Sequence, residues 1–203
     1  MTSARFIVLE GGDGCGKSTQ ARLLAIALRD QGFEVFQTFE PGATPLGSGI
    51  RELVLHDRND VSPLAEALLM AADRAQHVVE QIGPARDRGE WVVCDRYIPS
   101  SLVYQGVVRG LGVSRVRDLN RGALEYAPPD LVVVLDVPDE LAATRVNAEH
   151  DRLEAEGDAF HRAVREAYRA QAADHGWVLV DGVGTPEAVA ARVWGAVAAL
   201  LPR

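Results

Sequence analysis

The sequence predicts an α/β fold, a parallel sheet covered on both faces by helices. Three observations carry this. Short apolar runs of strand type alternate with longer stretches of helical spacing along the whole chain. Two of those runs, Trp91–Asp95 and Leu131–Asp136, are continuously apolar up to a final carboxylate, as strands buried on both faces are. The third observation is Gly11-Gly12-Asp13-Gly14-Cys15-Gly16-Lys17-Ser18, which fits G-x-x-x-x-G-K-[ST]. It lies between the apolar run 6–9 and the helix-spaced stretch 20–28.

Strand, glycine-rich turn and helix make a phosphate-binding loop, and its chemistry accounts for the residue types. Glycine lets backbone N–H groups converge on phosphate oxygens with no side chain in the way. The helix start around Thr19 adds unpaired donors and the positive end of a dipole. Lys17 can reach the β- and γ-phosphates of a nucleotide, and the Ser18 hydroxyl can ligate Mg²⁺. A plain strand–helix turn would also use glycine, but it has no need of Lys-Ser in register.

The other elements follow in order. Gln31-Gly32 ends the first helix. Residues 34–39 alternate like a strand, and Glu40-Pro41-Gly42 breaks it into a loop. Residues 46–55 form a short helix carrying Arg51. Ser62-Pro63 starts a long helix, with serine as cap and proline in the first turn, that runs to about Ile82 before Gly83-Pro84. After the strand at 91–95 comes a glycine-rich stretch at 106–112, then one helix over 114–126. Pro128-Pro129 introduces the strand 131–136, and a helix starts at Pro138 and runs to Arg145. Residues 146–157 are polar and short of apolar side chains, the best candidate for a mobile segment. A helix over 158–173, with Phe160, Val164, Ala167 and Tyr168 on one side, and a strand at 177–180 follow. Thr185-Pro186 starts the terminal helix, whose apolar tail is too short to span a bilayer and reads as core-packed. With no repeat or linker, one domain holds residues 1–203.

Composition excludes several classes. The chain has 203 residues, enough for a substantial single core, and its 47% hydrophobic and 25% charged content is that of a globular protein. A net charge of −8 argues against nucleic acid as a partner held by a general basic surface, so arginines for an anionic ligand must be gathered locally. Cys15 and Cys94 have no metal-like spacing and read as reduced thiols of a cytoplasmic protein. No leader peptide or membrane span is visible.

A phosphate-binding loop names a nucleotide, not a reaction. Asp95 ends an apolar strand, where a carboxylate can hold Mg²⁺ through water, and the adjacent Arg96 can clamp a phosphate bidentately. Asp136 ends the other apolar strand and is the rival for the metal; Arg96 favours Asp95. Met70, Arg74 and His77 share a face of the long helix, with small alanines around Arg74 that let a ligand approach. By spacing alone a solvated polar stripe is the better reading, with His77 a surface or satisfied histidine and Arg51 an exposed helix charge.

Six motifs in order carry a resemblance: 10–19, Glu40-Pro41-Gly42-x-Thr44, Ala71-Ala72-Asp73-Arg74-Ala75-x-His77, Asp95-Arg96-Tyr97, Ser100-Ser101-x-x-Tyr104-Gln105-Gly106 and Asp151-Arg152-x-Glu154. Over nearly its whole length the chain resembles the bacterial thymidylate kinases, nucleoside monophosphate kinases of the P-loop class. The resemblance implies a P-loop NTPase fold with a five-stranded parallel sheet, a homodimer, and transfer of the γ-phosphate of ATP to dTMP with Mg²⁺. It implies that Gly11, Gly12, Asp13, Gly14, Cys15, Gly16, Lys17, Ser18 and Thr19 bind the ATP phosphates. Asp13 then lies near the acceptor's sugar hydroxyl, and Arg51, Arg74 and Arg96 hold the acceptor phosphate beside Glu40. Ser101 and Gln105 meet the thymine edge, and Tyr104 packs on the sugar. Arg145 and Arg152 close with a lid at about 146–157, supplying the basic residue that Gly12-Asp13-Gly14-Cys15 lacks.

The chain departs from that pattern where Phe39 stands for an arginine, Pro99 for an aspartate and Met70 for the aromatic over the thymine ring. The lid is also poorer in arginine. The competing readings are another small P-loop kinase with a different acceptor, and a P-loop ATPase or GTPase switch. The Asn-Lys-x-Asp motif of a GTPase is missing from the sequence.

Overall fold

The computed structural model describes residues 4–56, 61–145, 152 and 156–201. Five strands, β1 (Phe6–Glu10), β2 (Val35–Phe39), β3 (Trp91–Asp95), β4 (Leu131–Asp136) and β5 (Val178–Asp181), form one all-parallel sheet in the order β2-β3-β1-β4-β5. The five-stranded parallel sheet expected from the sequence is therefore present. Side-chain alternation splits the core in two. Phe6, Val8, Val92, Cys94, Val132 and Val134 face one helical layer, while Ile7, Leu9, Val93, Val133 and Leu135 face the other.

On the second face lie α1 (Lys17–Asp30) and α10 (Pro186–Val197), which bury Leu24, Leu28, Val189 and Val193. Thr185 caps α10, its hydroxyl accepting from the Ala188 N–H. The first face carries α2 (Pro45–Arg51), α3 (Pro63–His77), α4 (Gly83–Asp87), α5 (Ile98–Ser101), α6 (Val113–Leu119), α7 (Arg121–Tyr126) and α9 (Asp158–His175), while Leu141 and Ala142 of α8 (Asp139–Ala143) pack on the second.

Three differences from the sequence expectation have physical causes. Gly83-Pro84 does not end the long helix: a wider turn over Val78–Ile82 absorbs the proline, and the chain continues into α4. Gly83 is required by packing, since a Cβ there would lie 2.5 Å from a ring carbon of Tyr126. The helix expected over 114–126 is two, α6 and α7, broken at Asn120. That residue is buried, and its side-chain carbonyl accepts from Arg74 at 2.5 Å. The helix after Pro138 is shorter than expected, ending at Ala143. Of the lid expected at 146–157, residues 146–151 and 153–155, with Asp151 and Glu154 among them, lie outside the described residues.

Candidate active site

The carboxyl ends of β1, β2 and β3 open into a cavity of about 760 Å³, the end of a parallel sheet at which ligands bind. Asp13, Gly14, Gly16, Lys17, Ser18, Thr19, Glu40, Arg51, Met70, Arg74, Asp95, Arg96, Ser101, Tyr104, Gln105 and Arg145 all line it. The sequence-predicted residues thus converge from seven segments. Gly11, Gly12 and Cys15 form the body of the loop; Gly12 and Cys15 also border a second cavity behind it.

The loop geometry explains its glycines. Gly11 has φ 134°, and a Cβ there would sit 2.5 Å from the Leu135 carbonyl oxygen. Gly16, at φ 95°, turns the chain into α1. Lys17 is buried, with Nζ donating to the Gly12 carbonyl at 2.7 Å and 3.9 Å from Asp13. Ser18 Oγ donates to Asp95 Oδ2 at 2.5 Å. Asp95 Oδ1 is buried with no hydrogen-bond partner among the described residues. Asp136, the rival aspartate, is occupied instead by Arg169, whose Nη2 lies 2.6 Å away.

Behind this pair lies an acid–base cluster. Arg96 ion-pairs with Asp13 and donates to the Gly11 carbonyl, Ser100 and Tyr168. Its backbone is left-handed at φ 70°, the only such non-glycine among the described residues, and strain of this kind gathers at functional sites. Burial alone would raise the Asp13 pKa, but Arg96, Lys17 and the Tyr104 hydroxyl outweigh it, and the carboxyl titrates below the usual range. The Tyr104 hydroxyl donates to Asp13 at 3.2 Å. Burial would discharge Arg96, but Tyr104, Asp13, Tyr168 and Glu10 more than offset it and raise its pKa. Beneath the cluster Glu10 accepts from the Tyr97 N–H (2.8 Å), the Ser100 hydroxyl (2.7 Å) and the Tyr168 hydroxyl (2.8 Å). Burial dominates, and the Glu10 pKa is raised.

The other end of the cavity is built around Arg74. Its guanidinium is buried and donates to Glu40 (2.8 Å), Ser101 (3.2 Å), Asn120 (2.5 Å) and the Tyr97 carbonyl (3.2 Å). Glu40 also meets His77 at 3.0 Å, and His77 bonds Thr38 at 2.7 Å. His77 is thus a satisfied core histidine. Arg74 is tied to Ser101, whereas Arg96 is tied to Asp13, so the three arginines grouped by sequence occupy separate stations. Arg51 donates to the Pro41 carbonyl at 2.9 Å. Gln105 Nε2 donates to Glu66 at 2.8 Å. Met70 is buried in the cavity wall. Of the departures from the family pattern, Phe39 is exposed at the rim and Pro99 lies in the first turn of α5.

Arg145 lines the P-loop side of the cavity. Arg152 does not line it: its guanidinium pairs with Glu66 and donates to the Val54 carbonyl at 2.8 Å. Sequence reasoning assigned no role to Glu66, Asn120 or Tyr168. Tyr168 was legible only as an apolar-face residue, because nothing local marks where its hydroxyl goes.

The family model described as Thymidylate kinase matches residues 9–193. A protein of Leifsonia xyli subsp. xyli (strain CTCB07) named Thymidylate kinase is 50% identical over 192 residues, 93% of this chain and 91% of that one. One of the same name from Synechococcus sp. (strain JA-2-3B'a(2-13)) is 47% identical over 199 residues, covering 97% and 96%. Another from Thermomicrobium roseum (strain ATCC 27502 / DSM 5159 / P-2) is 45% identical over 203 residues, covering 98% and 96%. With the family match running over residues 9–193, the chain belongs to the thymidylate kinase family.

Proposed function

We propose that the chain transfers the γ-phosphoryl group of ATP to dTMP, giving dTDP and ADP, and that the cavity seats the two nucleotides phosphate to phosphate. The observation that carries this reading is the continuity of the cavity. The phosphate-binding loop residues Gly14, Lys17 and Ser18 line the same cavity as Asp13, Arg96, Tyr104, Arg74, Ser101 and Gln105.

Phosphoryl transfer needs positioning and charge stabilisation more than covalent help from the protein. A phosphate monoester has a second pKa of ~6, so the acceptor is its own dianionic nucleophile at neutral pH. What must be overcome is repulsion between two polyanions. Lys17 and the loop amides serve the donor, Arg96 and Arg51 the acceptor phosphate, and Arg145 and Arg152 the transferring group. Tyr104 and Asp13 form the floor under the sugar. The bonds from Arg74 to Ser101 favour a place for that arginine at the base end.

The residues fit Mg²⁺. Asp95 carries a buried oxygen, unpartnered among the described residues, beside the Ser18 hydroxyl, and a hard cation that keeps its waters needs few protein ligands. Ser18 would hold the ion directly and Asp95 through water. When bound, the ion would neutralise charge on the phosphates.

A homodimer fits the apolar outer stripe of α3, where Leu64 and Leu68 are exposed and Val79 follows beyond the helix end. A solution mass twice that of the chain tests it. A cytoplasmic setting fits two free, buried thiols. No helix among the described residues is long and apolar enough to cross a membrane. The deciding experiment is a screen of mononucleotides with Mg·ATP for ADP and nucleoside diphosphate. Turnover of ATP without any acceptor, or preference for an acceptor other than dTMP, would overturn the reading.

A further inference from the structure

We propose that Glu66, a buried residue of α3, is a specificity-determining positioning residue: it fixes the orientation of the Gln105 amide so that the amide oxygen meets the N3–H of the acceptor base. The inference rests on the dTMP reading above.

A glutamine amide is chemically two-faced. One branch donates and the other accepts, and in a cavity open to solvent the group turns to suit whatever base arrives. Thymine and uracil present a donor at N3, whereas cytosine presents an acceptor there. An amide free to rotate by half a turn would serve either ring, so discrimination requires that its orientation be set before the base binds.

Glu66 supplies that constraint. It is fully buried, and its Oε1 accepts from Gln105 Nε2 at 2.8 Å. An ionised carboxylate only accepts, so it tolerates the NH₂ branch and repels the oxygen branch. The carboxylate is itself held in place. Arg152 pairs with its other oxygen, and Arg109 Nε lies 3.7 Å from Oε1. Arg109 is in turn paired with Glu156 at 2.8 Å. Two guanidiniums offset the burial of one charge and hold it still while the base binds, before Arg152 leaves for the transferring group. Gln105 is also buried, so its amide has no bulk water with which to exchange partners. With Nε2 committed to Glu66, Oε1 is the branch that remains for the base.

The same cluster reaches the lid. The Arg152 backbone N–H donates to the Leu55 carbonyl at 2.9 Å, so the segment's arginine is seated directly on the carboxylate that orients the base reader.

The test compares Glu66→Gln with wild type in the full chain, using dTMP, dUMP and dCMP as acceptors at saturating Mg·ATP. The glutamine side chain at 66 can offer either a donor or an acceptor, which frees the Gln105 amide to flip. The expected result is a fall of roughly tenfold in kcat/KM for dTMP and dUMP together, with dCMP unchanged or improved, since a misfit polar partner is what such a site rejects. The KM for ATP stays at the wild-type value. A merely structural role would lower all three acceptors by one factor, and that outcome, or no change, overturns the proposal. Should Glu66→Gln fail to fold, the exchange variant Glu66→Gln with Gln105→Glu carries the test. It places the acceptor-only group at 105, and dTMP must again exceed dCMP by at least the wild-type ratio. A loss of that preference in the folded exchange variant overturns the proposal. Failure of wild type to use dTMP is read from the wild-type assay alone and would sink the functional reading, and this inference with it.

Discussion

Ser18 and Asp95 are 77 residues apart in sequence, yet the Ser18 hydroxyl donates to the Asp95 carboxylate at 2.5 Å. The contact joins the start of α1 to the end of β3 and leaves the second Asp95 oxygen buried without a hydrogen-bond partner among the described residues. Asp95→Asn should keep the fold and lower kcat by roughly 10²–10³, the cost of one preorganised electrostatic partner. Lys17→Ala should cost at least as much. Single-turnover rates on variants with unchanged circular dichroism check both, and turnover near wild type would remove these residues from the phosphate end.

Arg74 and Arg152 should fail in different ways. Arg74→Ala strips Glu40, Ser101 and Asn120 of a buried charged partner, so stability should drop by about 3–5 kcal/mol while KM for dTMP rises. Arg152→Ala should lower kcat and kcat/KM together, the pattern of a contact made in the transition state. That role requires Arg152 to leave Glu66 during the cycle. Urea denaturation with steady-state kinetics titrating dTMP separates the two, and the reversed pattern would exchange their roles.

Met70 stands in the cavity wall one turn before Arg74. Methionine covers a ring through a flexible thioether but presents a less defined surface than an aromatic plane. Met70→Phe should therefore tighten dTMP by less than the roughly 1–3 kcal/mol that stacking on an aromatic supplies. Met70→Ala should weaken dTMP more than ATP and cost about 2 kcal/mol of stability, the low end for a buried methionine because the site already opens to a cavity. An unstable Met70→Ala protein with normal dTMP affinity would reduce the residue to core packing.

Two carboxylates should give opposite pH dependences of stability. The Asp13 pKa is depressed, so its contribution is present above the unfolded value near 3.8 and is lost as pH falls through the lower folded value. The advantage of wild type over Asp13→Asn should shrink below about pH 4. The Glu10 pKa is raised, so its contribution is complete below the unfolded value near 4.5 and is lost as pH rises through the folded one. Denaturation midpoints of wild type, Asp13→Asn and Glu10→Gln between pH 3 and 7 check the signs, and parallel curves would contradict both.

What the sequence determined by itself was whatever is contiguous. The phosphate-binding loop is legible because one turn of backbone makes its own cradle, with Gly11 and Gly16 needed locally for their positive φ. The central strands β1, β3 and β4 are legible because burial on both faces demands unbroken apolar runs, and the edge strand β2 by its alternation. The tertiary structure decided which distant groups meet. Both β3 and β4 flank β1, so either strand-end aspartate could stand beside the loop, and in the sequence only the neighbouring Arg96 favours Asp95 over Asp136. A right-handed crossover carries α1 from β1 over β3 towards β2, which sets Ser18 above Asp95 and leaves Asp136 to Arg169. The break at Asn120, the separation of Arg74 from Arg96, and the meeting of Glu66, Gln105 and Arg152 were illegible for the same reason. Each depends on a distance between segments, and that distance is set by how the helices pack on the sheet rather than by any local residue pattern.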